Sequence, residues 1–551
     1  MDPLHPFDPS TKKKMENEFL SAWNEVVFEL KPYPSSRLHI LVQHSQEEIG
    51  ALVTDERRKI QAEENPATVL RREEAVNVLN LVESIVDEWM AVQSRWIHCQ
   101  YFLATDKMKR RVGKVGADFI LAEEHFGKII RKCLENPKIL PFCLASGLLN
   151  ELKQLNQEFE AVGSLCVDHR EKIRTAFPRF FFVSDDELIQ ILTVSDVKQL
   201  KPFLGRLFTA VNDLKWDAKL NAVGMTSHDS EYVPWPKPVA WSNSNIFIES
   251  WLSNIEDVMY QAVWDHVMKA RRTYPESDRT LWALYWPCMA VLCVSQIYWA
   301  SEAAQAISDE RGKGLIEFNN KCNRQLEEII VMLRGSLSDL QRRSIGGLII
   351  TEVHARDLSR QLVEDSVSSV TDFAWLAQLR YSWEENNVYC SLLFARRKYG
   401  YEYSGVESRL VATPLTDRCH RTLICALHSS QSGSLEGPAG TGKSETVKDL
   451  ARAFALNCIH INCSDGIDFL LMAKIFRGVL CCGNWICLDE FNRLDIEVLT
   501  IVAQQILCIQ SALKCQSAEI HFEGSHLKLN PACAIFVTIN PVDCCVAFWG
   551  T

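Results

Sequence analysis

Residues 437–444 read GPAGTGKS and fit the phosphate-loop pattern G-x-x-x-x-G-K-[ST] at every fixed position. Gly437, Gly440 and Gly442 let the backbone curl until successive N–H groups converge, with Pro438, Ala439 and Thr441 in the variable positions. Lys443 can reach the outer phosphates of a nucleoside triphosphate, and the Ser444 hydroxyl can ligate magnesium. The residues that follow, Val447, Leu450, Ala451 and Phe454, recur at the spacing of a helix with one buried face. Its positive start then lies where phosphates go. The preceding run, Ser432 to Glu436 (SGSLE), is short and polar for a buried parallel strand. On the loop alone, a chance match in a glycine-rich turn stays open.

Downstream, Trp485 to Glu490 (WICLDE) is an apolar strand ending in two adjacent carboxylates. Asp489 is placed to hold magnesium, directly or through water, and Glu490 to orient and polarise an attacking water. Adjacent acids also favour the first turn of a helix, here one over Arg493 to Leu507. Pairing with the phosphate loop makes that the minor reading. A third strand, Cys533 to Ile539 (CAIFVTI), delivers Asn540 at its end, where an amide can sense the terminal phosphate. Taken alone, Asn540-Pro541 reads as a turn.

The alternation of apolar strands and helical runs beyond residues 385–415 predicts a parallel α/β sheet, with phosphates at the carboxyl ends of the strands. Upstream, residues 15 to about 335 show helical periodicity, as in Phe19, Trp23, Val26, Val27 and Leu30, which predicts long helices packed side by side. Pro178 separates a helix ending near Thr175 from the aromatic run Phe180 to Phe182. Ser184-x-x-Glu187 then forms a capping box that starts the helix Leu188 to Leu192. Met225 to Asn245, with Pro234, Pro236 and Pro238, reads as a long turn or hairpin region.

Leu281 to Ala300 (LWALYWPCMAVLCVSQIYWA) runs for twenty residues without a charge, enough to cross a bilayer. Pro287 interrupts it, Ser295 and Gln296 are polar, and Trp282, Tyr285, Trp286 and Trp299 are spread through it rather than gathered at its ends. A helix buried among helices is the expectation, and no membrane partner. The net charge of −11 argues against nucleic acid. The twenty cysteines are scattered along a long chain without metal-type spacing, which predicts reduced core thiols. The opening MDPLHPFDPSTKKK lacks the apolar run of a secretory signal, and its lysines read as a solvated face.

Residues 399–541 resemble the first AAA+ module of a dynein heavy chain. The resemblance rests on YGYEYSGVESRLVATPLTDRCHRTL (399–423), EGPAGTGKSETVKDLARA (436–453), NCSDGIDFL (462–470), CGNWICLDEFNRLDIEVLTIVAQQI (482–506) and FEGSHLKLNPACAIFVTINP (522–541). FPRFFFVSDDELIQIL (177–192) and GGLIITEVHARDL (346–358) resemble the dynein linker, the lever across the ring. The implied organisation is a helical linker over 1–398 and a partial AAA+ large subdomain over 399–541. A divergent tail, VDCCVAFWGT, follows over 542–551. Where the family would continue through a Gly-Tyr-Ala-Gly-Arg stretch, this chain departs. The expectation is a sheet without its fifth strand, a phosphate-loop strand left as an open edge, and no lid.

The resemblance further implies that Leu410, Pro414 and Leu415 line the base of ATP. Gly437 to Ser444 would hold its phosphates, Ser444 and Asp489 magnesium, Glu490 the water and Asn540 the terminal phosphate. The implied partners are dynein subunits and microtubules, reached through a full-length parent. The implied setting is cytoplasm, cytoskeleton and the axoneme of a cilium, the axonemal flavour resting on the cysteines and linker segments. Slow hydrolysis is expected from this chain, because the site normally receives an arginine from a neighbouring module. A non-catalytic truncated product that acts as an interaction protein is the alternative. A generic AAA+ remodeller is disfavoured by the linker-like segments.

Overall fold

The computed structural model of the chain describes residues 23, 26–34, 36–62, 69–194, 196–241, 247–309, 313–406, 409–464 and 466–540. Lys12 to Lys14, Phe19, Pro541 and the tail Val542 to Thr551 therefore lie outside the described residues. The chain divides into two units, Met1–Lys172 and Ile173–Thr551.

In the first unit the helical periodicity at Val26 to Leu30 does not give a helix. Val27 forms a bridge with Lys138, and Leu30 opens β1 (Leu30–Pro32), which pairs antiparallel with β2 (His39–Leu41). The β-branched Val26 and Val27, followed by prolines at 32 and 34, favour extended backbone at this point. Helices follow as expected: α1 (Gln43–Ala62), α2 (Val69–Phe102), α3 (Asp106–Arg111), α4 (Lys114–Glu135), α5 (Ile139–Cys143) and α6 (Leu148–Ala176). Trp89, Trp96, Phe126 and Phe159 are fully buried between them.

The second unit begins with a 3-10 turn, Pro178–Phe182, and α7 (Asp185–Thr193), whose start carries the expected Ser184–Glu187 capping box. After α8 (Lys201–Leu207), β3 (Val211–Trp216), β4 (Asn221–Ser227) and β5 (Tyr232–Ala240) form an antiparallel sheet in that order. The stretch expected as a turn or hairpin is thus a hairpin with a long proline-bearing strand. Pro234, Pro236 and Pro238 sit on its exposed face, and β5 is the sheet's edge, where a missing N–H costs no ladder bond.

The charge-free segment splits at Trp286-Pro287 into α10 (Arg279–Tyr285) and α11 (Cys288–Ile307), preceded by α9 (Ile248–Thr273). Most of α11 is buried against α12 (Gly314–Leu333) and α13 (Asp339–Glu364), through Trp299, Phe318 and Leu362. A short α14 (Phe373–Leu376) leads to the antiparallel sheet β6 (Arg380–Glu384), β7 (Asn387–Leu392) and β8 (Ala395–Lys398).

From Pro414 the chain alternates helix and strand: α15 (Pro414–His428), β9 (Gly433–Glu436), α16 (Lys443–Ala453), β10 (Cys458–Asn462), α17 (Phe469–Cys482), β11 (Trp485–Asp489) and α18 (Ile496–Lys514). The hairpin β12 (Glu519–Phe522) and β13 (Ser525–Lys528) precedes β14 (Ala534–Ile539). The main sheet is parallel in the order β10-β11-β14-β9. Its core is Ile486, Leu488, Phe476, Leu480, Val502 and Ile535. Among the described residues β9 is an edge, paired to β14 alone, as expected, and this explains its polar composition. A 3-10 turn, Phe491–Arg493, stands where the helix after the acids was expected, and the helix starts three residues later at Ile496. Among the described residues α18 is apolar and long enough to cross a bilayer, and Val502, Gln505 and Ile509 are its fully buried side chains.

Two contacts join the helical part of this unit to the segment that carries the parallel sheet, one at helix α17 and one at Glu402 ahead of α15. A Cβ at Gly478 of α17 would lie 2.7 Å from the Phe182 ring and 2.8 Å from Phe181 Cβ, so the aromatic run packs directly on that helix. Arg179, 1% exposed, donates to Glu256 at 2.7 Å, to both oxygens of Glu402 at 2.9 and 2.6 Å, to the Tyr260 hydroxyl and to the Leu207 carbonyl. Gly478→Val forces that packing apart and is expected to destabilise the chain by about 1–3 kcal/mol. The check is thermal unfolding of the variant beside the wild type; an unchanged midpoint refutes the packing.

The eighteen described cysteines are all free. Burial pushes the thiols of Cys99 and Cys463 up to about 12, so these groups stay protonated and inert.

Candidate functional site

The end of β9, the start of α16 and the carboxyl ends of β11 and β14 meet at one point because parallel strands present their carboxyl ends together. Gly437 N–H still belongs to the sheet, donating to the Ile539 carbonyl at 3.2 Å, and the loop begins after it. Gly440 and Gly442 adopt φ of 75° and 80°, which only glycine takes without strain. A Cβ built on either meets nothing within 4 Å, so their outer faces border open space in front of the helix start. Thr441 closes the loop from within by donating to the Pro438 carbonyl at 2.9 Å.

Lys443 folds back across this loop. Its ammonium donates to the carbonyls of Gly437 and Pro438 at 2.8 and 2.7 Å and to Asn540 Oδ1 at 2.8 Å. Taking a phosphate oxygen exchanges one neutral acceptor for an anionic one, a stronger hydrogen bond.

Ser444 donates to Asp489 Oδ1 at 2.7 Å, and the buried Thr538 hydroxyl donates to the same oxygen. His460 of β10 faces the other oxygen, with Nε2 3.3 Å from Oδ2. Burial alone would raise the Asp489 carboxyl; the hydrogen bonds from Thr538, Ser444 and His460 outweigh it and hold the acid below its ordinary value. Asp489 is therefore a carboxylate at neutral pH. A hydroxyl beside a carboxylate is the hard oxygen pair that magnesium takes while keeping several waters and substrate phosphates. The residues present thus fit a magnesium–triphosphate, and the open space before Gly440 and Gly442 lies where its phosphates would go.

Glu490 sits in the left-handed region at φ 54°, uncommon for a side chain of its size. The turn breaks the strand and swings the carboxylate off the sheet. Thr538 Oγ1 accepts from Glu490 N–H at 3.1 Å, so one hydroxyl fixes both acids. The Asn540 amide donates to Glu490 Oε1 at 3.3 Å, and Arg493 pairs with Oε2 at 2.7 Å. The Asn492 side chain brackets the Asn540 backbone, its amide donating to the Asn540 carbonyl and its oxygen accepting from Asn540 N–H, each at 3.5 Å.

Lys443, Ser444, Asp489, Glu490 and Asn540 are thus brought into one connected network. Leu410, Pro414 and Leu415 are not part of it. Leu410 N–H donates to Asp449 of α16 at 3.0 Å, and Arg409 clasps the same carboxylate with two bonds of 2.7 and 3.1 Å. The loop expected at the base is thereby tied to the phosphate helix. Burial alone would raise the Asp449 carboxyl, and Arg409 outweighs it and keeps the acid low. The pair accordingly contributes stability above the ordinary carboxylate range, lost as pH falls through the depressed value. Pro414 is the first residue of α15 behind the N-cap Thr413, and Leu415 is 69% exposed.

Thr538, His460, Asn492 and Arg493 were not read from the sequence as site residues. Thr538 could have been found, since it lies two before Asn540 on one strand and so shares its face. His460 depends on the strand order, which places β10 beside β11 and which no local pattern discloses.

Residues 399–545 match the family described as the hydrolytic ATP binding site of dynein motor region, and residues 11–270 the family described as dynein heavy chain, N-terminal region 2. The chain is similar to dynein axonemal heavy chain 12 of Homo sapiens, 38% identical over 534 residues that cover 96% of this chain and 17% of that protein. Dynein axonemal heavy chain 3 of Homo sapiens is 38% identical over 461 residues, covering 84% and 11%. Dynein axonemal heavy chain 1 of Mus musculus is 36% identical over 533 residues, covering 96% and 12%. The chain thus spans less than a fifth of the length of these relatives.

Proposed function

Because the chain belongs to the dynein heavy chain family, carrying its N-terminal region 2 and its hydrolytic ATP-binding module, we propose that residues 399–540 bind magnesium–ATP and hydrolyse it. In the parent motor this hydrolysis re-angles the helical lever and drives movement on microtubules in the axoneme of a cilium. The observation that carries the proposal is the single network from Lys443 and Ser444 through Asp489 and Thr538 to Glu490 and Asn540.

In this reading the loop amides and Lys443 bind the phosphates. Ser444 and Asp489 hold magnesium, which neutralises charge on the phosphate oxygens when bound. Glu490 accepts the proton of the attacking water, and Asn540, bonded to both Lys443 and Glu490, reports the terminal phosphate to each. Leu410, Pro414 and Leu415 border the base. Arg493 occupies one Glu490 oxygen, so that oxygen is released before it takes up a proton. Dynein subunits and microtubules are the partners proposed for the parent.

The test is an equilibrium titration of the full chain with a fluorescent ATP analogue, with magnesium and again with excess EDTA. Magnesium is expected to tighten binding by tenfold or more, since two protein oxygens and the phosphates share it. Equal affinity in both buffers contradicts the metal assignment, and negligible binding in both favours the non-catalytic interaction protein.

A further inference from the structure

Both oxygens of Glu490 are engaged. Oε1 accepts from the Asn540 amide at 3.3 Å. Oε2 is buried, and the Arg493 guanidinium lies 2.7 Å from it without the alignment of a hydrogen bond. Charge rather than bond direction therefore holds this oxygen. The contact is built within a single turn: Glu490 takes a left-handed backbone, Arg493 N–H donates to the Glu490 carbonyl at 2.9 Å, and the 3-10 turn Phe491–Arg493 brings the two side chains together.

A carboxylate that is to take a proton from water needs an oxygen that water can reach. Oε2 is covered, and Oε1 already serves an amide. The cover is movable. The Arg493 side chain is 51% exposed, and among the described residues Glu490 is its only ion-pair partner. An ion pair so open to solvent holds weakly, because water and salt screen it. Glu490 needs no arginine to keep its place, since its N–H is anchored on Thr538 Oγ1 at 3.1 Å. The pair is thus no tie of the core; it covers the base.

We propose that Arg493 is a latch on Glu490. Closed, it keeps the carboxylate from the attacking water, and hydrolysis proceeds only in the fraction of molecules whose guanidinium has swung into solvent. The proposal rests on the reading of Glu490 as general base and adds the regulation of that group. Arg493 touches no reacting atom and is a positioning residue that acts through Glu490. No change of protonation is needed to open or close the pair.

The experiment follows single-turnover hydrolysis of magnesium–ATP by the full chain, with protein concentrated enough to bind all the nucleotide at each salt. It compares the wild type, Arg493→Ala, Arg493→Lys, Glu490→Gln and the double variant Arg493→Ala/Glu490→Gln. Arg493→Ala is expected to raise the rate about two- to fivefold, the factor by which an exposed ion pair biases an equilibrium, with nucleotide affinity unchanged. Arg493→Lys, which keeps the charge, is expected to fall between. Raising salt from about 0.01 M to about 1 M shortens the Debye length from about 30 Å to about 3 Å. The wild-type rate is then expected to climb toward that of Arg493→Ala, whose own rate stays level, a convergence that a merely structural arginine does not give. An Arg493→Ala rate equal to or below that of the wild type, rates that do not converge in salt, or a gain that persists in the double variant overturns the latch. Glu490→Gln alone separates the two readings. Turnover lost there while Arg493→Ala changes nothing rejects the latch and keeps the base; turnover that survives Glu490→Gln rejects the base, and the latch with it.

Discussion

Glu490→Gln is expected to leave magnesium–ATP bound with affinity close to that of the wild type while single-turnover hydrolysis falls by about 10²–10⁴-fold, the range for removing a positioned general base. The separation of binding from turnover follows from geometry. Glu490 is not among the groups that cradle the phosphates; its carboxylate is turned off the strand end by a left-handed residue and held by Asn540 and Arg493. Glutamine keeps the size and the backbone bond to Thr538 but cannot take a proton from water. Binding is read by titration with a fluorescent analogue, turnover by phosphate release with protein in excess. Hydrolysis that survives the substitution removes Glu490 from its role, and binding lost with it shows that the carboxylate supports the fold of the site instead.

Lys443→Ala is expected to act at the other step, weakening ATP by roughly 10²–10³-fold, or about 3–4 kcal/mol. That is the scale of two charge-assisted hydrogen bonds at about 1.5–3 kcal/mol each, less their neutral replacements. In the free protein the ammonium satisfies two loop carbonyls and Asn540, so its loss also removes the bond from the loop to Asn540 at the end of β14. Thermal unfolding should change little, since those carbonyls border solvent and can take water. Unaltered affinity would mean that phosphates bind without this loop.

These two substitutions concern residues that were legible from the sequence, and the reason is physical. A backbone cradle demands glycine at fixed spacings, and a strand buried on both faces must be apolar until it reaches the acids. Such constraints are local and leave a local mark. The Ser184 capping box was legible for the same reason, and so was the break at Pro287. The long β5 strand was not, because three prolines argue against a strand unless its edge position is known. Val26 to Leu30 misled because apolar spacing of three and four fits a helix, whereas pairing with Lys138 and β2 decided the matter. Thr538 and His460 act through register and strand order, which arise only when distant segments assemble. The Arg179 cluster, spanning residues 179 to 402, is of the same kind.

The most direct test of the account is a structure of the full chain soaked with magnesium, ADP and aluminium fluoride, a mimic of the transferring phosphoryl group. The account predicts phosphates on the amides of residues 437–444, Lys443 turned from Asn540 onto the nucleotide, a metal beside Ser444 and Asp489, and a water between Glu490 and the fluoride. Nucleotide bound elsewhere, or seated with Lys443 and the two acids directed away from it, contradicts the account.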